Sequence, residues 1–260
     1  MTIKVHILHC GQVRVDRSVP FYEKTINPFA TLGFLRGKKY QIWLPVSAYL
    51  IEHPKGLILI DTGWHTDVRT DQKKHLGWPY YHILKADLPA GQAIDEQLLQ
   101  LGYRPRDIDY LVMSHLHSDH ASGMKIVKEA KKILVSENEW QETIDHRIHY
   151  IPTMWEGLKI DMFKFQPSDY GEEHPAFDLF GDGSLVFIST PGHTMGLAST
   201  LIQNNGRFLL LVSDTGYARK SWEEMIMPGM FINRQKVLES LAWVRKMSQE
   251  RGCMDIIANH

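Results

Sequence analysis

Ser114-His115-Leu116-His117-Ser118-Asp119-His120 sets three imidazoles and a carboxylate directly after the apolar run Tyr110-Leu111-Val112-Met113. Neutral imidazole nitrogens and carboxylate oxygens are the donors that hold Zn²⁺ and similar transition ions. Packed together without an ion, such groups make an unfavourable core. With the strand ending near Ser114, His115 and His117 converge from an extended segment, while Asp119 and His120 turn toward a second point. A solvated, His-rich turn is the bland alternative. A metal site is the reading adopted.

Further donors fall where strands should end. His193 stands in Thr190-Pro191-Gly192-His193-Thr194 after an apolar run, Asp214 follows Leu211-Val212-Ser213, and His260 follows Ile256-Ile257-Ala258-Asn259. A lone histidine after a strand is more often a hydrogen-bonded loop residue. Donors at like ends of several strands, however, can aim at one place on a sheet edge.

The elements that must position these donors are legible in part. Alternation predicts a strand over 3–15 and a hairpin of 46–52 with 57–61, closed by His53-Pro54-Lys55-Gly56. The polar, aromatic stretch 64–89 has no period and reads as a surface loop or lid. A helix is predicted over 93–101, with Ile94, Leu98 and Leu101 on one face and Gly102 as its stop. A short helix over 124–130 and a strand over 133–136 follow. Residues 146–183 are turn-rich. Strands then recur at 185–190, 198–202 and 208–213, the last two flanking Asn204-Asn205-Gly206, a turn suited to positive φ. The longest helix spans 233–250, striped by Val237, Leu238, Leu241, Val244 and Met247, and a strand over 254–258 delivers His260. Strands then helix recur in both halves. Two β-rich halves packed face to face, helices outside, are therefore expected.

Composition bounds the class. The 260 residues suit one α/β domain, and 43% hydrophobic with 23% charged residues supports a sizeable core without disulfides. The net charge of −1 argues against a surface built for nucleic acid or anionic membranes. Cys10 and Cys253 are too few and too far apart for a disulfide framework and read as small hydrophobes, so a cytoplasmic setting is expected. No long apolar run follows Met1, and none approaches a membrane span, so neither a secretory signal nor a transmembrane segment is expected. Oligomeric state is left open, a homodimer included.

Taken as an ordered set, the residues from 114 to 120, Pro191-Gly192-His193-Thr194, Ser213-Asp214 and His260 resemble the metallo-β-lactamase superfamily. Asp61-Thr62-Gly63 resembles its early Asp-x-Gly motif. The resemblance runs from about residue 40 to the end. It implies one domain over 1–260, a four-layer αββα sandwich of the α/β class, with a dinuclear centre at one sheet edge. By the family pattern His115, His117 and His193 bind one ion, and Asp119, His120 and His260 the other. Asp214 bridges both. Asp61 is expected to support the ligand loops by hydrogen bonds. Members of the nearest branch continue past this last histidine, so a short tail is expected after His260.

Two divalent ions, Zn with Fe, Mn or Co as alternatives, would make hydroxide available at neutral pH and polarise a small-molecule carbonyl or phosphoryl oxygen. Departures from other branches narrow the reaction. The β-lactamases of this fold have Cys or Ser in place of Asp214, glyoxalase II types add a C-terminal helical domain, and flavodiiron relatives have Glu where His117 stands. The N-acyl homoserine lactonase branch is most similar, since Ser213-Asp214-Thr215-Gly216-Tyr217 puts a tyrosine three residues after the aspartate. That resemblance implies lactone opening and quorum quenching, with Tyr217 stabilising the oxyanion and Asp119 passing a proton to the leaving ring oxygen. Another carboxylic ester, a thioester or a phosphodiester is the alternative substrate. An acyl chain would need an apolar groove, for which Trp64, Trp78, Tyr80, Tyr81 and the stretch 225–231 are candidates.

Overall fold

Strands that are apolar on both faces must be covered on both faces, and this sets the architecture. The computed structural model describes residues 3–260. One sheet contains β1 (Lys4–Asp16), β2 (Gln41–His53), β3 (Gly56–Ile60), β4 (Lys85–Asp87), β5 (Tyr110–Val112), β6 (Lys132–Ser136) and β7 (Asp161–Phe163), ordered β4-β1-β2-β3-β5-β6-β7. The other contains β8 (Ala176–Asp178), β9 (Leu185–Ser189), β10 (Ala198–Asn204), β11 (Arg207–Ser213) and β12 (Cys253–Ala258), ordered β12-β11-β10-β9-β8. The α-helices are α1 (Gln72–Leu76), α2 (Trp78–Ile83), α3 (Ile94–Gln100), α4 (Ser118–Ala121), α5 (Glu137–Asp145), α6 (Arg219–Glu223) and α7 (Arg234–Ser248).

Alternate residues of each strand serve different layers. Tyr49, Ile51, Ile58, Ile60 and Val112 meet Leu185, Phe187, Ala198, Ile202 and Leu211 between the sheets. Their neighbours Ala48, Leu50, Leu57, Leu59 and Leu111 turn to the opposite face and pack with Ile94 and Leu98 of α3. Beyond the second sheet, Val186, Ile188, Leu210 and Val212 pack against Val237, Leu241, Val244 and Met247 of α7. The layers are helix, sheet, sheet, helix, as expected. The apolar stripe of α7 recurs at three- and four-residue steps, and Asn233 caps its start by accepting from Lys236 N at 3.1 Å. The β10–β11 turn takes left-handed φ at Asn205 (51°) and Gly206 (73°), as its sequence predicts. No helix among the described residues is long and apolar enough to cross a membrane.

Two expectations need correction. The stretch 64–89 is not an irregular lid: it holds α1, α2 and β4. Helices of five and six residues are too short to display a period. Their starts are local, with the Asp71 side chain accepting from Lys74 N at 3.0 Å and a proline in the first turn of α2. The helix expected over 124–130 lies earlier, as α4 followed by a 3₁₀ turn at Ser122–Lys125. Tertiary bonds select this position: Thr62 donates to the His120 carbonyl through N (3.0 Å) and Oγ1 (2.7 Å).

Arg69 pins the 64–89 segment. It donates to the carbonyls of Leu88 (2.9 Å) and Pro89 (2.8 Å) and forms a two-pronged pair with Glu96 at 2.9 and 2.7 Å. The Arg69 hydrogen bond leads in drawing the Glu96 carboxyl down from 4.5 to about 2. A depressed acid stabilises above its unfolded pKa and loses that stabilisation as pH falls through the folded one. Glu96→Gln is therefore expected to lower the melting temperature at pH 7, with the deficit closing between pH 4.5 and about 2. Thermal melts across that range measure it.

Candidate metal centre

The chemistry-bearing residues sit just past strand ends. Asp61 follows β3, the 114–120 segment follows β5, His193 follows β9, Asp214 follows β11 and His260 follows β12. Parallel pairing of β3 with β5, and of β11 with β12, sends their carboxyl ends to one edge. Sharp backbone turns redirect the chain there, with left-handed φ at Asp61 (58°) and Ser213 (47°). Non-glycine residues rarely adopt that region, and such strain gathers at functional sites. Gly192 has φ 134°, and an added Cβ would lie 2.3 Å from Val237 N, so only glycine lets the His193 loop pass the start of α7.

Donor atoms from all seven expected ligands converge. His115, His117 and His193 form one close triplet, and Asp119, His120 and His260 another. His117 Nδ1 is 2.9 Å from His193 Nε2, and His260 Nε2 is 3.5 Å from Asp119 Oδ2. Asp214 lies between them. Its Oδ1 is 3.2 Å from His120 Nε2 and 3.3 Å from His260 Nε2, and its Oδ2 is 3.4 Å from His193 Nε2.

The far side of each ring states which nitrogen is free. His193 Nδ1 donates to the Met230 carbonyl at 3.0 Å, and His260 Nδ1 donates to the Pro45 carbonyl at 2.7 Å. His120 Nδ1 donates to Asp61 Oδ2 at 2.8 Å. Each Nε2 therefore turns inward, and in the neutral ring it offers the lone pair a metal requires. Asp61 is itself held by Ser114, through N at 2.8 Å and Oγ at 2.7 Å. The fit to a cation shows in what stays unpaired: His115 Nε2, His120 Nε2, His260 Nε2 and Asp214 Oδ1 are buried without a hydrogen-bond partner. Buried polar atoms are otherwise almost always paired. Lone pairs from so many groups aimed at one volume are stabilised by divalent cations and by little else.

Electrostatics agree. Burial, then the neighbouring imidazoles, pushes His115 and His117 well below the ordinary histidine range, keeping them neutral. Burial also opposes charge on His120 and His260, but Asp214 leads the carboxylates that outweigh it and raise both. Asp214 in turn is held well below the carboxylate range, His260 and His120 overcoming its own burial. The site is built to balance carboxylate charge with positive charge.

One residue of this site was not singled out from the sequence. Glu139 is fully buried in α5 and accepts from Leu116 N (2.9 Å), Tyr150 Oη (3.0 Å) and Thr194 Oγ1 (2.6 Å). One carboxylate thus ties the turn between His115 and His117 to the residue after His193. Its only sequence signal, Ser136-x-x-Glu139, reads as a helix capping box. Ser136 does cap α5, accepting from Glu139 N at 3.1 Å, but the carboxylate points to the ligand loops instead.

Beside the donors is a narrow cleft of about 70 Å³, lined on its apolar side by Val13, Val15, Val19, Tyr80, Leu84 and Met230. Asp119, Asp214 and Tyr217 line its polar end. The phenol of Tyr217 donates to Asp214 Oδ2 at 2.6 Å and its ring stacks on His260 with centroids 5.0 Å apart. Of the expected groove residues, only Tyr80 and Met230 are here. Trp64 is buried in the core and donates to the Gln12 carbonyl, Trp78 is 69% exposed, and Met227 packs under α7. The valines of β1 were missed because they read simply as strand core.

The superfamily sequence pattern of the metallo-beta-lactamases matches residues 42–240. The N-acyl homoserine lactonase AttM of Agrobacterium fabrum is 34% identical, covering 86% of this chain and 84% of its own. An N-acyl homoserine lactonase of Bacillus cereus is 26% identical over 97% of both chains. Among solved structures, an N-acyl homoserine lactone hydrolase with N-hexanoyl-L-homoserine at its catalytic metal centre superposes with a TM-score of 0.80 at 23% identity, covering 100% of this chain and 94% of the other. The dizinc quorum-quenching lactonase AidC superposes with a TM-score of 0.65 at 17% identity, covering 99% and 87%. These two share the fold. The match across most of its length, together with the strand-end placement of the donors, means that this chain belongs to the metallo-beta-lactamase superfamily.

Proposed function

We propose that this chain is a metal-dependent hydrolase that opens the lactone ring of N-acyl homoserine lactones at a pair of divalent ions, residues 1–260 acting as one domain. The observation that carries the metal reading is the set of buried, unpartnered lone pairs on His115, His120, His260 and Asp214. The lactone reading is supported by relatives named N-acyl homoserine lactonase at up to 34% identity. His115, His117 and His193 would hold one ion and Asp119, His120 and His260 the other, with Asp214 placed between the two groups. Nitrogen with carboxylate donors suits Zn²⁺, and Fe, Mn or Co fit the same set.

When bound, the ions supply hydroxide at neutral pH and draw charge from the substrate carbonyl. The protein does the rest. Val13, Val15, Leu84 and Met230 exclude water from one side of the cleft and offer an apolar wall to an acyl chain. Tyr217 presents a phenol whose burial, reinforced by Asp214, raises its pKa well above the ordinary value, so it stays a proton donor toward a developing oxyanion. Asp119, which lines the same cleft, is placed to take a proton from the attacking water and hand it to the departing ring oxygen.

Ring opening of a neutral lactone releases a proton, which a pH-stat follows directly. Metal-loaded protein is expected to turn over N-acyl homoserine lactones, and His117→Ala is not. Equal rates in the two would sink the proposal. Tyr217→Phe is expected to lower kcat by about 10²-fold with KM little changed, the scale for losing one oxyanion donor. A rise confined to KM would instead make Tyr217 a binding residue.

A further inference from the structure

Apart from the catalytic cluster, a second group of metal-type donors is gathered by the segment between β3 and β4. His65, Asp67 and His75 each bring one donor atom within 4.8 Å of the others. Asp67 Oδ1 is 3.3 Å from His65 Nδ1, and Asp67 Oδ2 is 3.7 Å from His75 Nδ1. Neither contact is a hydrogen bond. His65 Nδ1 accepts from the Asp67 amide at 3.1 Å, so it is the unprotonated nitrogen of that ring. His75 Nε2 meets Ser122 Oγ at 2.7 Å, which leaves Nδ1 as the nitrogen turned to the carboxylate.

The arrangement is preorganised rather than incidental. The two rings lie nearly parallel, 18° apart with centroids at 5.4 Å. Ser122 Oγ fixes both, since it also accepts the His65 amide at 2.9 Å. Burial of His75 lowers its pKa, with His65 adding to the effect, so its ring is neutral near pH 7. The trio opens on a cleft of about 470 Å³, where Lys74 and Lys125 stand beside Asp67 and Asp71. With the charges of these four balanced, simple attraction will not retain a cation. Coordination bonds from nitrogen must.

We propose that His65, Asp67 and His75 form a separate site for one divalent transition ion of the Zn²⁺, Co²⁺ or Ni²⁺ class, with its remaining position open to the cleft. The ion takes over the His65 Nδ1 lone pair from the Asp67 amide. Oxygen-seeking Mg²⁺ and Ca²⁺ do not compete at a site with two imidazoles.

The test counts metal rather than turnover. Apo protein is titrated with Co²⁺ or Zn²⁺, and bound equivalents are read by elemental analysis after desalting and by ¹¹³Cd NMR. The parent is expected to bind three equivalents, and Asp67→Asn and His75→Ala two each, the missing equivalent taking its own ¹¹³Cd resonance with it. Asp67 has 62% of its side chain exposed, so Asp67→Asn decides the matter if His75→Ala fails to fold. Asp67→Asn is also expected to retain lactone hydrolysis, which separates this site from the catalytic one. Unchanged stoichiometry and an unchanged ¹¹³Cd spectrum in Asp67→Asn would overturn the proposal, as would equal retention of Mg²⁺ or Ca²⁺.

Discussion

Asp214→Asn is expected to reduce bound metal to at most one equivalent in the catalytic cluster and to cut kcat by about 10³-fold or more, beyond the roughly 10–100-fold that losing an outer partner costs. Asp214 reaches within 3.4 Å of donors from both triplets, with Oδ2 toward His193 and Oδ1 toward His120 and His260. Asparagine keeps the shape but removes the negative charge and turns an N–H₂ toward one set of lone pairs. It also removes the charge from the hydrogen bond that Tyr217 donates, now 2.6 Å long, and so weakens it. Breaking a buried charged network of this kind costs about 3–5 kcal/mol. Elemental analysis and initial rates on the same preparation check it. Full metal content with a rate within about tenfold of the parent would remove Asp214 from its bridging role, the scale being that of an outer partner.

The second large effect is expected at Glu139, which touches none of the donors. Its carboxylate accepts from Leu116 N, Tyr150 Oη and Thr194 Oγ1, and glutamine must turn its N–H₂ toward at least one of those three donors. Leaving a buried donor unsatisfied costs about 1–3 kcal/mol, or roughly 2–10 °C in melting temperature for a chain of this size. Because both ligand turns hang on this group, activity is expected to fall by about 10–100-fold as well.

Glu139 also carries a pH signature. Burial, against the pull of its hydrogen bonds led by Thr194, raises its carboxyl from 4.5 to about 7. The folded state then holds the proton more tightly than the unfolded chain. The resulting stabilisation is complete below pH 4.5 and is lost as pH rises through about 7. Glu139→Gln lacks this dependence. The gap in melting temperature between parent and variant is therefore expected to narrow from pH 4.5 to pH 7. A gap that widens over that range would mean that Glu139 is charged throughout.

Much of this molecule follows from local pattern. The strands of the second sheet, their Asn205-Gly206 turn and the stripe of α7 are where alternation and helical spacing place them, because each buries its own apolar side chains in a repeating way. The 115–120 donors are equally legible, since three imidazoles and a carboxylate so close together suit a metal site better than a core. Irregular segments were harder. The short helices α1 and α2 carry too few residues for a period, and α4 is placed by bonds from Thr62, far away in sequence.

The sequence by itself pointed to the layered architecture and to the candidate donors, through residue type, near-neighbour spacing and the family resemblance that the ordered motifs carry. Only the tertiary structure decided which nitrogen each histidine offers, because that is set by carbonyls of Pro45 and Met230 and by Asp61, remote in the chain. It likewise decided that Glu139 serves the ligand turns rather than its own helix, and that the valines of β1 wall the cleft. A strand or a ligand motif is written in adjacent residues. The orientation of a buried polar group depends on whatever partner folding brings within about 3 Å.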